Sequence, residues 1–214
     1  MQRLRRTILT VATVLIATPA LLAAQTVNNT GAASNLNGAK QDAAWQVSTN
    51  GGGTWGSALQ VQGPPGSWQP GTALYSWISA TLSGSGGGGD YLFRTFIDLT
   101  GYDPNTTSMT FNCALDNNAG SGGPYSLNGG ASSGNCGVPF SFGPLQTINT
   151  GWVSGVNELR FHVTGDNTTD GLLVGNTSIT ANAVTSTPEP ASLVLTATGL
   201  LLVGGAVRRR ATRA

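Results

Sequence analysis

Residues 158–164 read ELRFHVT, and this stretch decides the fold class. Its apolar residues, Leu159, Phe161 and Val163, alternate with polar ones, so an extended chain here has one apolar and one polar face. A period of two residues predicts a β-strand with one buried face. A second stretch, residues 108–116, has the same period, and its apolar face is formed by Met109, Phe111, Cys113 and Leu115.

Short segments of this kind recur along the middle of the chain, and clusters of Gly, Pro, Asn or Asp separate them. No stretch of the middle shows a helical period. We therefore predict an all-β fold, a β-sandwich of the jelly-roll type. The predicted strands are residues 42–48, 57–62, 74–82, 91–99, 108–116, 138–142, 157–165 and 175–184.

The N-terminal segment, residues 1–24, has the layout of a secretory signal peptide. Arg3, Arg5 and Arg6 precede an apolar run that extends from about residue 8 to residue 17, and small residues follow. Cleavage after Ala24 or after Ala20 fits this layout. The alternative is a retained N-terminal anchor, for which the apolar run is short.

The C-terminal segment, residues 188–214, contains a second apolar run. Pro188, Glu189 and Pro190 lead into 17 uncharged residues, 191–207, which end at three arginines, Arg208, Arg209 and Arg210. A helix of this length spans about 25 Å, close to the thickness of a bilayer core. The arginines would stay on the cytoplasmic side. We predict a transmembrane helix that anchors the chain transiently.

The middle region, residues 25–187, differs in charge from its two ends. The whole chain has a net charge of +1, but the middle has eight acidic residues and three basic ones, so its net charge is 3 − 8 = −5. The three bases are Lys40, Arg94 and Arg160. A region without a basic patch has nothing to neutralise phosphates, so nucleic-acid binding is not expected.

The two cysteines, Cys113 and Cys136, either form a disulfide or remain two inert thiols. An export signal implies an oxidising compartment, which favours the disulfide. Their spacing fits neither a metal site nor a redox motif.

Residues suited to catalysis are scarce in the middle region. The only histidine, His162, lies on the polar face of a strand, Ser154 lacks the nucleophile-elbow sequence, and Glu158 is the only glutamate there. A glycosidase needs a pair of carboxylates. We therefore expect no enzymatic activity.

Two loops contain oxygens that could hold Ca²⁺, residues 114–123 and 164–171. Neither has the spacing of an EF-hand loop. The sequence thus predicts no cofactor and leaves a structural calcium ion open as an alternative.

Tryptophans are the better functional indication. Trp55 and Trp68 are flanked by Gly and Pro, which places them on loops, whereas Trp45 and Trp77 fall within strands and are expected in the core. An exposed indole can stack on a sugar ring while Asn and Asp side chains bind its hydroxyls. The alternative is that both loops fold back and bury Trp55 and Trp68.

The tail resembles the PEP-CTERM sorting signal of exported bacterial proteins, in its Pro-Glu-Pro motif, its apolar run and its arginines. The resemblance implies that an exosortase, a membrane sorting enzyme, recognises the tail and cleaves near the motif. It also implies a Gram-negative-type bacterium, a transient inner-membrane anchor, and a final location at the cell surface or in the extracellular, exopolysaccharide-containing matrix of a biofilm.

Residues 40–183 resemble the galactose-binding-like β-sandwich that often accompanies this tail. The resemblance lies in segments such as TFIDLTGYDPNTTSMTFNCALDNNAG and YSLNGG. It implies ligand-binding roles for an Asp-Asn turn and for the end of a following strand, here Asp116, Asn117 and Asn128. Cys113 departs from the pattern, because that position is often Trp.

These observations give a domain organisation and three hypotheses on function. Residues 1–24 form a signal peptide, residues 25–187 a β-sandwich domain with its core at about 40–183, and residues 188–214 the sorting signal. The first hypothesis is an exported, non-catalytic protein that binds carbohydrate through Trp55 or Trp68. The second is a structural matrix protein without a small ligand, and the third is a hydrolase.

Overall fold

The computed structural model describes residues 26–85, 89–119, 123–137, 140–184, 197–200 and 208. The chain divides into two compact units, and every strand belongs to the unit Leu22–Val184. The predicted signal peptide, the Pro188–Glu189–Pro190 motif, Arg209 and Arg210 lie outside the described residues, as does most of the predicted membrane helix. In the part of the chain that is described, no helix is long and apolar enough to cross a membrane.

The described fold is all-β, as predicted. Two short 3-10 helices accompany ten strands, and all strand pairs are antiparallel. The 3-10 helices are Ala33–Asn35 and Pro104–Thr106. The strands are β1 (Gln41–Ser48), β2 (Gly56–Gln60), β3 (Ile78–Ser79), β4 (Gly89–Asp98), β5 (Ser108–Asp116), β6 (Asn118–Ala119), β7 (Tyr125–Leu127), β8 (Gln146–Ile148), β9 (Val156–Gly165) and β10 (Gly171–Thr180).

The strands form one curled sheet in the order β6-β9-β4-β1-β2-β3-β10-β5-β8, and β7 also pairs with β9. The short strands β2 and β3 connect the half that contains β4 and β9 to the half that contains β5 and β10. The curl brings the apolar faces of the two halves together, which gives a sandwich-like arrangement. Phe111 of β5 lies 5.7 Å from Phe161 of β9, ring centre to ring centre.

The register of four neighbouring strands sorts their side chains into two rows. Val47 pairs with Phe93, Phe93 with Phe161, and Phe161 with Tyr125, and all four are buried. One position along, the paired residues are Gln46, Arg94, Arg160 and Ser126, which are half-buried. Because successive side chains of a strand point to opposite faces, the first row packs in the core and the second faces outward.

The predicted disulfide is confirmed, since Cys113 on β5 is bonded to Cys136. Both cysteines are buried, and the bond closes a loop across 23 positions. The backbone carbonyl of Cys113 also accepts hydrogen bonds from Gly137 and Gly143. This loop is therefore attached to β5 by covalent and hydrogen bonds.

Three of the predicted strands are wrong in extent. The strand predicted at 175–184 lies four residues beyond β10, Gly171–Thr180. Of residues 74–82, only Ile78–Ser79 forms a strand. Residues 140–142 are not in a strand, and 138–139 lie outside the described residues. The backbone of Phe140 and Phe142 bonds instead to Gln69, whose N–H donates to the Phe140 carbonyl and whose Oε1 accepts from the Phe142 N–H. The adjacent strand β8, Gln146–Ile148, was not predicted.

Candidate functional site

The outward-facing row on β1, β4 and β9 carries a cluster that we call the arginine face, consisting of Gln46, Trp55, Arg94, Glu158 and Arg160. Its position follows from alternation, because these strands direct apolar residues inward and leave polar ones on the other side. Two of the three basic residues of the middle region, Arg94 and Arg160, lie in this one cluster.

Both guanidinium groups share one carboxylate. Arg94 donates to Glu158 Oε2 at 3.3 Å and to Gln46 Oε1 at 2.8 Å, while Arg160 Nε donates to Glu158 Oε1 at 2.7 Å. Arg94 and Glu158 are about one fifth exposed, and Arg160 is 36% exposed. Two positive charges against one negative charge leave a local excess of one positive charge in a region that is otherwise acidic.

Trp55 lies on the loop before β2, as the sequence predicts, and its indole is half-buried. The guanidinium carbon of Arg94 lies 3.9 Å from the centre of the indole ring, within the range of a cation–π contact, and that of Arg160 lies 5.6 Å away. One face of the indole is thus covered by Arg94. The stacking holds Trp55 in a defined orientation beside the two arginines.

A cleft of about 260 Å³ adjoins the arginine face. Arg160 and His162 line one side of it, and the β7 loop lines the other through residues 124–126, 129–130 and 132. His162 Nε2 lies 3.4 Å from Asp90 Oδ2. A second cleft of about 250 Å³ shares Tyr125 and Gly130 with the first. Both clefts present hydroxyls and backbone groups, which suit hydrogen bonding to a polar ligand.

Asn128, predicted as a ligand-binding residue, stabilises the turn between these clefts. Its side-chain amide donates to the Gly151 carbonyl at 3.0 Å and to Asn157 Oδ1 at 2.7 Å, and its Oδ1 accepts from the Glu158 N–H at 2.9 Å. Asn128 has a φ of 52°, a left-handed conformation that Asn tolerates. These partners give its amide a structural role.

Trp68 corresponds to the second alternative, in which the loop folds back and buries the indole. It is 3% exposed and packs against Trp77 with 4.2 Å between ring centres, so it offers no face to a sugar. The two indoles belong to a second apolar cluster with Val61, Ala114 and Leu173. Trp45 and Trp77 are fully buried, as predicted.

The indole nitrogen of Trp68 donates to Asp116 Oδ2 at 2.6 Å. Asp116 ends β5 and is 3% exposed. Burial raises the pKa of Asp116 to about 6, the hydrogen bond from Trp68 opposes that rise, and the charges of Asp170 and Asp166 add to it. The structure thus places a carboxyl group of raised pKa at the end of a core strand.

Asp170 precedes Gly171, which pairs with Asp116 at the start of β10, so the side chains of Asp116 and Asp170 lie on opposite faces of the sheet. Asp170 is 1% exposed, and burial raises its pKa. Asn117 Nδ2 donates to Asp170 Oδ1 at 3.3 Å. Asn117 of the first loop with oxygen ligands therefore contacts Asp170 of the second.

The predicted site residues thus fall into two groups. Near the end of β5, Trp68 is bonded to Asp116 and Asn117 is bonded to Asp170. At the arginine face, Trp55 stacks on Arg94, and Asn128 accepts from the Glu158 N–H. Arg94 and Arg160 were not predicted as site residues. Two features of the sequence could have identified them. Basic residues are scarce in the middle region, and Arg160 lies on the polar face of ELRFHVT.

Comparison with protein-family models, with curated proteins and with solved structures finds no match for this chain. The residues described above therefore carry the functional interpretation. In the described ranges, no three side chains of Asp, Glu, His or Cys are grouped so that they alone could hold a metal ion.

Proposed function

We propose that this protein is an exported, non-catalytic cell-surface or matrix protein that binds carbohydrate at the arginine face. The observation that supports the proposal is the stacking of Trp55 on Arg94 beside an open polar cleft. An oriented indole with flanking hydrogen-bond donors is a typical arrangement for sugar recognition.

The charge of the face favours an acidic glycan. Glu158 neutralises only one of the two arginines, and Arg160 lines the cleft. A guanidinium binds a carboxylate through two parallel hydrogen bonds. We therefore propose a uronic-acid-containing exopolysaccharide as the ligand class.

A hydrolase is the weaker alternative because of where the carboxylates lie. Both carboxylate oxygens of Glu158 are bonded to arginines, so they are not free to contact a glycosidic bond. Asp116 and Asp170 are buried, so they cannot reach a glycosidic bond. A glycosidase needs two carboxyl groups facing the same bond of the substrate.

The proposal also covers the type of β-sandwich and the route by which the protein is exported and sorted. We propose a jelly-roll, galactose-binding-like type for the sandwich, export through residues 1–24, and recognition of residues 188–214 by an exosortase. Arg208, Arg209 and Arg210 would hold the C-terminal helix in the inner membrane until cleavage.

A glycan array that contains neutral and uronic-acid polymers tests the binding. We expect the protein to bind acidic glycans, and Trp55→Ala to weaken that binding at least tenfold because it removes the stacking surface. Leu74→Ala, which truncates an exposed apolar residue elsewhere, is the matched control and should bind like wild type. A silent array would overturn the carbohydrate proposal and favour a structural matrix protein.

The intact mass of the protein recovered from the cell surface tests the sorting. We expect a species that lacks residues 1–24 and ends near the Pro188–Pro190 motif. A mass that includes Arg208, Arg209 and Arg210 would contradict cleavage by a sorting enzyme.

A further inference from the structure

The outward-facing row of β4 shows how charge is distributed around the arginine face. Asp90, Leu92, Arg94, Phe96 and Asp98 alternate with buried residues of the strand, so their side chains share one face. Along this row the side chains change from acidic to apolar to basic, and then to apolar and acidic again. Arg94 is four residues from either aspartate, which is about 13 Å along a strand.

The outward-facing row of β9 confines the positive charge in the same way. Arg160 pairs with Arg94, and the residues two positions from Arg160 on β9 are Glu158 and His162. Glu158 is acidic, and His162 Nε2 lies 3.4 Å from the carboxylate of Asp90. The two guanidinium groups, which stay charged at any ordinary pH, are thus limited to one pair of opposing residues.

The neighbours of the arginines across the strands are neutral. The row that contains Arg94 and Arg160 continues to Gln46 on β1 and to Ser126 on β7. Lys40, the remaining base of the middle region, precedes Gln46 by 46 − 40 = 6 residues, about 20 Å along an extended chain. A ligand that runs along the strands or across them therefore meets neutral or acidic groups on both sides of the arginines.

Phe96 provides an apolar surface directly beside this positive charge. Its side chain is 47% exposed, and the guanidinium carbon of Arg94 lies 5.0 Å from its ring centre. Trp55 and Phe96 thus both contact Arg94. The C–H face of a neutral sugar can pack on such a ring. A carboxylate at this place would lose hydration without gaining a donor, and it would meet Glu158, which pairs with Phe96.

We propose that the arginine face selects acidic glycans in which uronic acids alternate with neutral sugars, over polymers that carry a carboxylate on every sugar. One carboxylate binds Arg94 and Arg160, and the neutral sugars on either side pack on Phe96 or form hydrogen bonds in the cleft beside Ser126. This preference rests on the proposed glycan binding and adds to it the spacing of the charges.

Screening by salt makes the preference local. The Debye length is about 8 Å at physiological ionic strength, so a ligand carboxylate responds mainly to the groups directly beside it. A second carboxylate that lies near Asp90 or Asp98 gains little from the arginines and is repelled. Hydrogen bonds from Thr100, first from its hydroxyl and then from its N–H, hold the pKa of Asp98 below its usual value, so this repulsion persists at neutral pH.

Calorimetric titration of the full chain with two hexasaccharides tests the proposal. A hyaluronan hexasaccharide has a carboxylate on alternate sugars, and hexagalacturonate has one on every sugar. We expect the hyaluronan fragment to bind at least tenfold more tightly at physiological ionic strength. At about 1 M NaCl, where the Debye length is near 3 Å, the repulsion is screened and the difference should shrink.

Two exposed substitutions test the residues to which the selection is assigned. Asp98→Asn should strengthen the binding of hexagalacturonate and leave that of the hyaluronan fragment unchanged, because it removes a repulsive charge. Phe96→Ala should weaken the binding of the hyaluronan fragment more than that of hexagalacturonate, because it removes the surface for a neutral sugar. Leu145→Ala, which truncates another exposed apolar residue, is the matched control and should bind like wild type.

The outcomes separate this preference from the proposed function. Hexagalacturonate that binds wild type as tightly as the hyaluronan fragment, or more tightly, would overturn the preference and leave acidic-glycan binding in place. An unchanged preference in both Asp98→Asn and Phe96→Ala would also overturn it. Absence of binding by either acidic hexasaccharide would overturn the preference and the proposed function together.

Discussion

The arginine face and the buried cluster around Asp116 use similar components in opposite ways. Each contains a tryptophan that contacts a charged side chain, Trp55 with Arg94 and Trp68 with Asp116. On the arginine face, Glu158 uses both of its oxygens in bonds to arginine. In the buried cluster, Asp116 accepts from Trp68 with one oxygen, and its other oxygen is buried without a partner.

The difference shows how burial changes the requirements on a charge. On a partly exposed face, water completes the shell of any group that the protein leaves unsatisfied, so the cluster is stable without a ligand. In the buried cluster, burial disfavours the charged form of a carboxyl, which is why the pKa of Asp116 is raised. The exposed cluster can therefore keep its charges without a ligand, whereas the buried carboxyl of Asp116 is held closer to its neutral form.

Truncation of the two tryptophans should produce the largest difference between the regions. We expect Trp68→Ala to lower the free energy of unfolding by about 3–5 kcal/mol, because it opens a cavity beside Trp77 and removes the donor to Asp116. Trp55→Ala should cost about 1 kcal/mol, since its indole is half-buried. Urea denaturation of both variants measures the two values.

Trp68→Phe separates the two contributions, because it keeps most of the apolar contact and removes only the indole N–H. We expect a loss intermediate between wild type and Trp68→Ala. If Trp55→Ala and Trp68→Ala lowered the free energy of unfolding equally, the two indoles would not differ in burial as described.

The pH dependence of stability should distinguish the clusters next. In EDTA, the raised pKa of Asp116 stabilises the fold at acidic pH, where its carboxyl is protonated. That contribution is complete below about pH 4, where an unfolded Asp titrates, and is lost as the pH rises through about 6. We expect the melting temperature to fall over this range.

Asp116→Asn should flatten this profile, because the amide does not titrate. Glu158→Gln is the control from the arginine face and should retain the fall between pH 4 and 6. A melting temperature of wild type in EDTA that rises over this range would contradict the assignment of a raised pKa to the buried carboxyls.

The sequence predicts β5 and β9 well, because their alternation is strict, but it places the last strand four residues beyond β10. Residues 108–116 coincide with β5, and residues 157–165 are one residue shorter than β9. Residues 138–142 failed because apolar content alone suggested a strand there, while the backbone of Phe140 and Phe142 is bonded to Gln69 across 70 positions or more. Local patterns do not report such distant partners.

The two clusters were only partly foreseeable for the same reason. Asp116 comes close to the start of β10 because of the register of β5 and β10, which pairs it with Gly171, 55 positions along the chain. Taken alone, each of the loops 114–123 and 164–171 contains oxygen ligands, but neither has the spacing of an EF-hand loop. The arginine face depends on the pairing of β4 with β9, which places Arg94 opposite Arg160.

Glu158→Gln should have the smallest effect on stability and the clearest effect on charge. Partly exposed ion pairs contribute about 0.2–1 kcal/mol, and salt screens them, so we expect a loss in this range in urea at low salt. At about 1 M NaCl, where the Debye length is near 3 Å, wild type and variant should become similar. Acidic-glycan binding should strengthen in the variant, because Arg94 and Arg160 lose their shared carboxylate. Weaker binding would indicate that Glu158 orients the arginines, and a loss of more than about 3 kcal/mol would show that the arginine face tolerates an unpaired charge no better than the buried cluster.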